Sequence, residues 1–212
     1  SVESNTIKEA NGNLAFNIVI KDTIEDSEKL KEAAKAADMI ITTGGVSVGK
    51  KDIMHESLRL MGAERIFWRV KMKPGMPTLF SAYKKTSDIT ATDNCASERE
   101  IPIISLSGNP FGVAVSIELL IRPALEKMMQ DPSIGLKEVN GIMADNFEKG
   151  IKGRRFIRAY LENGKFHLPN GLHSNGVLSS MAGCNCLIDT KTMENQESRS
   201  LNAGDKVGAI LL

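Results

Sequence analysis

The chain is poor in the residues that would place it outside ordinary globular proteins. It has three cysteines, Cys95, Cys184 and Cys186, an odd number that cannot complete a disulfide framework. Reduced thiols are the expectation. Cys184-Asn185-Cys186 offers two thiolates at strand-like spacing, but His55, His167 and His173 have no zinc-like spacing about them, so the reading is against a structural metal. Neither sign of charge is in excess: Lys plus Arg is 27 against 26 for Asp plus Glu, a net charge of +1. No global field therefore recruits nucleic acid or an anionic membrane, and any anion must be held locally. No apolar run approaches the roughly 20 residues of a membrane span, and Ser1 is not followed by a basic-then-apolar leader. A cytoplasmic protein with no nucleic-acid or membrane partner is expected. What remains is 42% hydrophobic and 25% charged, enough to bury a core in one large domain or two small ones.

The stretch Asp38 to Gly49 turns from an apolar run into a glycine-rich loop within a few residues. Met39, Ile40 and Ile41 suit a strand covered on both faces. Gly44 and Gly45 then remove the side chains, which lets a backbone turn sharply and aim several N–H donors at phosphate or carboxylate oxygens. Thr42, Thr43 and Ser47 are the polar handles. A tight strand-to-helix turn would need the same paired glycines, so the loop alone leaves both readings open.

Taken in order, Leu14 to Ile20 reads as a strand and Asp22 to Ala37 as a helix with an apolar face at Leu30, Ala33, Ala34 and Ala37. This strand–helix–strand order leads into the glycine loop as in a parallel sheet. A short helix over Asp52 to Met61 ends at Gly62. Asp52 in its first turn is either a surface helix-dipole charge or a carboxylate that manages a divalent cation beside an anion loop. Ile66 to Met72 and Thr78 to Tyr83 read as strands flanking Lys73-Pro-Gly-Met-Pro77, a rigid turn presenting one lysine. Ile101 to Leu106 opens into a second glycine loop, Ser107-Gly-Asn-Pro110. There Asn109 can cap and Pro110 fits the first helical position, and Pro123 should kink or divide the helix that follows.

After Pro132 the composition changes. Residues up to Gly153 read as a connector, then Arg154 to Leu161 and Lys165 to Leu168 form a hairpin around Glu162-Asn163-Gly164. Cys184 to Lys191 and Asp205 to Leu212 read as further strands. The expectation is an α/β domain over 1–130 and a small all-β, barrel-like domain over 131–212 that includes the connector.

Thr42-Thr-Gly-Gly-Val-Ser-Val-Gly49, Asp52, Lys73-Pro74-Gly75, Ser107-Gly-Asn-Pro110 and the C-terminal β module together resemble the molybdopterin molybdenumtransferases, the gephyrin E-domain-like molybdenum insertases. The resemblance implies a mostly parallel, three-layer pterin-binding domain followed by the β module. It also implies that the first strand of that domain and two N-terminal domains precede Ser1, and that this stretch alone is inactive. The implied activity is hydrolysis of adenylylated molybdopterin, with Mg2+ as cofactor, and insertion of molybdate into the dithiolene with release of AMP. By position, Gly44, Gly45, Ser47, Ser107, Gly108 and Asn109 line the pterin and phosphates. Asp52 matches the essential acidic, metal-holding position, and Lys73, Arg158 and Ser179 match positions associated with molybdate. Thr43, Gly49, Pro74, Gly75 and Pro110 complete the cofactor-binding set. The implied partners are a small-molecule pterin, a second copy in the full-length protein and a molybdopterin adenylyltransferase.

Two departures stand out. Met76 replaces a lysine in Lys-Pro-Gly-Lys-Pro, and the second loop begins with Ser107 and ends with Gly112 where the family reads Pro-Gly-Asn-Pro-Val-Ser. They leave room for two alternatives: a pterin-binding or scaffold module with decayed insertion chemistry, or a molybdopterin adenylyltransferase. Val46-Ser-Val-Gly49 and the attached β module speak against the second.

Overall fold

The computed structural model describes residues 5–8, 14–17, 26–47, 53–85, 99–151, 153–169, 181–190 and 199–212. The chain forms two compact units, one made of Ser1–Trp68 with Leu79–Ser105 and the other of Arg69–Thr78 with Leu106–Leu212.

In the first unit, β1 (Asn5–Lys8) and β2 (Leu14–Asn17) form an antiparallel hairpin. Helix α1 (Asp26–Ala36) carries Asp26 and Glu28 in its first turn and Lys35 in its last, which complements its dipole. It buries Leu30 and Ala34. Strand β3 (Ile40–Thr43) follows, then α2 (Met54–Met61), closed by Gly62 at φ 89° as its glycine predicts. β4 (Glu64–Trp68), β5 (Leu79–Lys85) and β6 (Arg99–Leu106) complete a four-stranded sheet in the order β3-β6-β5-β4. Leu30, Ile40, Leu58, Leu79, Ile101 and Ile103 pack in one core. The β6–β5–β4 side of the sheet is antiparallel, which differs from the mostly parallel expectation. The physical reason is the connection: residues 69–78 hold no helix, and a parallel crossover between β4 and β5 would need one.

In the second unit, Asn109 caps α3 (Pro110–Ser116) by accepting from the Gly112 N–H at 3.1 Å. A π-helical turn over Ile117–Ile121 links α3 to α4 (Arg122–Met129). Pro123 has no N–H to donate four residues back, and the turn before it widens so that the Arg122 N–H reaches the Ile117 carbonyl.

The rest is β structure. Strands β7 (Lys137–Met143), β9 (Phe156–Glu162), β10 (Lys165–His167), β11 (Cys186–Asp189) and β13 (Lys206–Leu211) close a barrel in the order β10-β7-β13-β11-β9, as the hairpin signals predicted. β8 (Phe147–Ile151) pairs separately with β12 (Arg199–Leu201). The stretch expected as a connector thus contains β7 and β8. The β9–β10 turn uses Asn163 at φ 49° and Gly164 at φ 75°, the left-handed pair of a tight hairpin.

β9 is covered on both faces. Ile157 and Ala159 point into the barrel with Met143, Phe166 and Ile188. Phe156, two residues from Arg158, packs outside the barrel with Phe111 and Val115 of α3, Met72, Leu187 and Ile210. Among the described residues no helix is long and apolar enough to cross a membrane.

Candidate anion site

The segment Arg69–Thr78 is folded on itself and then fastened to the start of β9. Its own bonds run from the Arg69 N–H to the Thr78 carbonyl at 2.7 Å and from the Val70 N–H to the Met76 carbonyl at 3.0 Å. Thr78 Oγ1 adds a bond to the Gly75 carbonyl at 2.8 Å. The Lys73 N–H donates to the Arg154 carbonyl at 3.0 Å and the Phe156 N–H to the Lys73 carbonyl at 2.8 Å, so Lys73 is bridged to Arg155. The Lys73–Pro74 peptide is cis, and Gly75 sits at φ 96°. Its positive φ favours glycine, and a Cβ there would also have to displace Met72 Cε at 2.7 Å and Ser116 Oγ at 2.8 Å.

This fastening builds a small cavity lined by Lys73, Pro74, Phe111, Phe147, Arg155, Phe156, Ile157 and Arg158. Three of its lining side chains are cations. Its enclosed room is small, about 20 Å³. Arg158 is only 2% exposed, although a lone arginine on a strand ordinarily reaches solvent. Its guanidinium carbon lies 4.4 Å from the centroid of the Phe111 ring. Burial pulls its pKa below the usual arginine value, opposed by the nearby Cys184 thiol. Burial also lowers Arg155, whose guanidinium lies 5.9 Å from the Phe147 centroid. Arginines stay charged at neutral pH regardless, so the cavity is positive.

Adjacent Arg154 has a different fate. It makes a two-pronged ion pair with Asp189, Nε to Oδ1 at 3.1 Å and Nη2 to Oδ2 at 2.7 Å. Among the described residues no carboxylate pairs with Lys73 or Arg155.

The two glycine loops are fixed in different ways. In the first, Gly44 and Gly45 stand at φ 89° and 67°, the Gly45 carbonyl accepts from the Met54 N–H at 3.2 Å, and the Val46 carbonyl accepts from Trp68 Nε1 at 3.0 Å. Thr43 and Ser47 are exposed there. In the second, Gly108 and Pro110 are exposed, Asn109 is half-buried, and Ser107 is buried with no hydrogen-bond partner for its Oγ.

Of the residues expected at the site, Lys73, Pro74 and Arg158 line one cavity within one compact unit. Gly49, Asp52 and Ser179 lie outside the described residues. Among the described residues no group of three His, Cys, Asp or Glu side chains could hold a metal ion. Sequence reasoning missed Arg155. In a regular strand residues 155 and 158 face opposite sides, but Arg155 precedes β9 and turns with the Lys73 bridge.

With this geometry in hand, likeness to known proteins becomes informative. Residues 4–127 match the family described as "Probable molybdopterin binding domain", and residues 140–212 match the "MoeA C-terminal region (domain IV)". The molybdopterin molybdenumtransferase of Staphylococcus aureus (strain Mu50) is 30% identical over 195 residues, covering 90% of this chain and 42% of the relative. That of Bacillus subtilis (strain 168) is 29% identical over 173 residues, covering 80% of this chain and 37% of the relative. The chain thus spans less than half the length of these curated relatives. Two solved structures share the fold. The molybdopterin biosynthesis moeA protein of Pyrococcus horikoshii OT3 has a TM-score of 0.59 at 23% identity, covering 88% of this chain and 39% of that one. A molybdenum cofactor biosynthesis protein of Pyrococcus furiosus has a TM-score of 0.63 at 20% identity, covering 92% and 56%.

Proposed function

Because the chain belongs to the probable molybdopterin binding domain family, we propose that it is the pterin- and oxyanion-binding part of a molybdopterin molybdenumtransferase, working in molybdenum cofactor biosynthesis. The observation that carries this reading is the cavity at Lys73, Arg155 and Arg158, which is positive, small and walled by aromatic rings. Molybdate is a small tetrahedral dianion. Charge-assisted bonds from an ammonium and planar guanidinium groups match its oxygens. Adenylylated molybdopterin is assigned to the glycine loops: Thr43, Gly44, Gly45, Ser47 and Gly49 in the first, Ser107, Gly108, Asn109 and Pro110 in the second.

The assigned division of labour is a pterin-binding domain over 1–130 and a C-terminal β domain over 131–212, which the family bounds at 127 and 140 support. Lys73, Pro74, Gly75, Arg158 and Ser179 hold the oxyanion. Asp52 is assigned as the acidic group that would take Mg2+, and no step is derived through that ion. Homodimerisation of the full-length protein, association with a molybdopterin adenylyltransferase and a cytoplasmic location belong to the same reading. Met76 does not line the cavity, so the lost lysine gives no support to a scaffold with decayed chemistry.

Calorimetric titration of the chain with molybdate tests the reading. Wild type should bind, and Arg158→Gln should lose most of the heat. Equal affinity in the two would overturn the oxyanion assignment. AMP release by the full-length protein with Asp52→Asn tests the acidic position separately, and a wild-type rate would reduce Asp52 to a surface charge.

A further inference from the structure

Of the three cations that line the cavity, Arg155 is the one that neither the motifs nor the family resemblance assigns. Its backbone is held from both sides: its N–H donates to Thr190 Oγ1 at 2.7 Å, and its carbonyl accepts from the Thr190 N–H at 3.0 Å. The isolated bridge to Lys73 places the two cations on neighbouring chain segments. The Arg155 side chain lies against Phe147, the guanidinium carbon 5.9 Å from the ring centroid, and makes no ion pair among the described residues. Arg155 Nε is shut away from solvent and has no hydrogen-bond acceptor, an arrangement proteins avoid because a buried donor without a partner costs free energy. The next residue back, Arg154, shows how this chain satisfies an arginine internally, with both prongs on Asp189. Arg155 is offered no carboxylate among the described residues, and it lines a cavity with room for one small species.

Resting on the oxyanion reading above, we propose that Arg155 is a further anion-contact residue, whose guanidinium donates to the bound oxyanion and gives the cavity its preference for dianions over monoanions of the same shape. The outer Nη nitrogens, which unlike Nε are not shut away, are the donors that an acceptor in the cavity meets. A tetrahedral monoanion gains less from each added positive charge than a dianion does, so charge selectivity is the property that Arg155 controls.

The test is calorimetry on this chain with molybdate, a dianion, and perrhenate, a tetrahedral monoanion, using wild type, Arg155→Gln, Arg155→Lys and Arg158→Gln. Loss of one charge-assisted contact predicts that Arg155→Gln binds molybdate about 10- to 100-fold more weakly. Perrhenate should weaken by a smaller factor, so the dianion preference narrows, and Arg155→Lys should fall between wild type and Arg155→Gln. Wild-type molybdate affinity in Arg155→Gln overturns the inference. If Arg158→Gln alone loses molybdate, the oxyanion reading survives and the role of Arg155 fails; if neither variant changes it, both fail. Should Arg155→Gln not fold by circular dichroism, Arg155→Lys decides. A loss of about fivefold or more supports contact through the planar fork, and unchanged binding overturns it.

Discussion

The hydroxyl of Ser107 occupies the space that a side chain at position 112 would need: a Cβ on Gly112 would come within 2.6 Å of Ser107 Oγ. The two departures in the second glycine loop, serine for proline at its start and glycine for serine at its end, are therefore one steric exchange. Gly112→Ser should destabilise the chain by about 1–3 kcal/mol through overpacking. Ser107→Ala in the same chain should recover part of that loss. A double-mutant cycle by urea unfolding measures the coupling, and additivity within about 0.3 kcal/mol would show that the two positions are independent.

Met76 sits beside the cavity in sequence but is 49% exposed and is not part of its lining. Met76→Lys should leave stability within about 0.5 kcal/mol of wild type and molybdate affinity unchanged. A large gain in affinity would mean that the side chain reaches the anion after all.

Asp189 anchors the segment that carries Lys73's backbone partners, because it holds Arg154 with both carboxylate oxygens. Asp189→Asn should cost about 1.5–3 kcal/mol, the range for hydrogen bonds to charged groups in a part-buried setting. A loss below about 0.3 kcal/mol in urea unfolding would place the pair among ion pairs that contribute nothing measurable.

Burial pushes the Cys186 thiol from its ordinary value of 9.0 up to about 12, with Cys184 adding to the shift. Below pH 9 the thiol is protonated whether the chain is folded or not, and its contribution to stability is complete. Between about 9 and 12 only the unfolded chain ionises at this position, so stability falls as pH rises. Urea midpoints measured from pH 8 to 11 should drop more steeply for wild type than for Cys186→Ala. Parallel slopes would show that the thiol is not protected.

The parts of this fold legible in the sequence are those where a backbone need selects a residue. Gly62 ends α2, Asn109 and Pro110 start α3, and Asn163-Gly164 turns the β9–β10 hairpin. β7 was not legible because most of it is exposed and Gly141 interrupts its pattern. That glycine serves a distant residue: a Cβ there would lie 2.8 Å from the Phe166 ring. Of the cavity's cations, Lys73 and Arg158 could be singled out because a rigid turn and a family motif mark them. Arg154 and Arg155 look alike as letters. Only the fold sends one to Asp189 and the other to the cavity, since the distinction is made by Thr190 and Lys73 far away in sequence.

The second compact unit is discontinuous, because it takes in Arg69–Thr78 from between two strands of the other unit's sheet. No single cut in the gene can therefore hand each unit all of its parts. A recombination crossover near residue 131 would deliver a barrel without Met72, Phe111 and Val115, leaving Phe156, Leu187 and Ile210 as a naked apolar patch and Arg158 without its aromatic cover. Such a chimera would inherit the strands and lose the cavity that Lys73, Pro74 and Phe111 help to line.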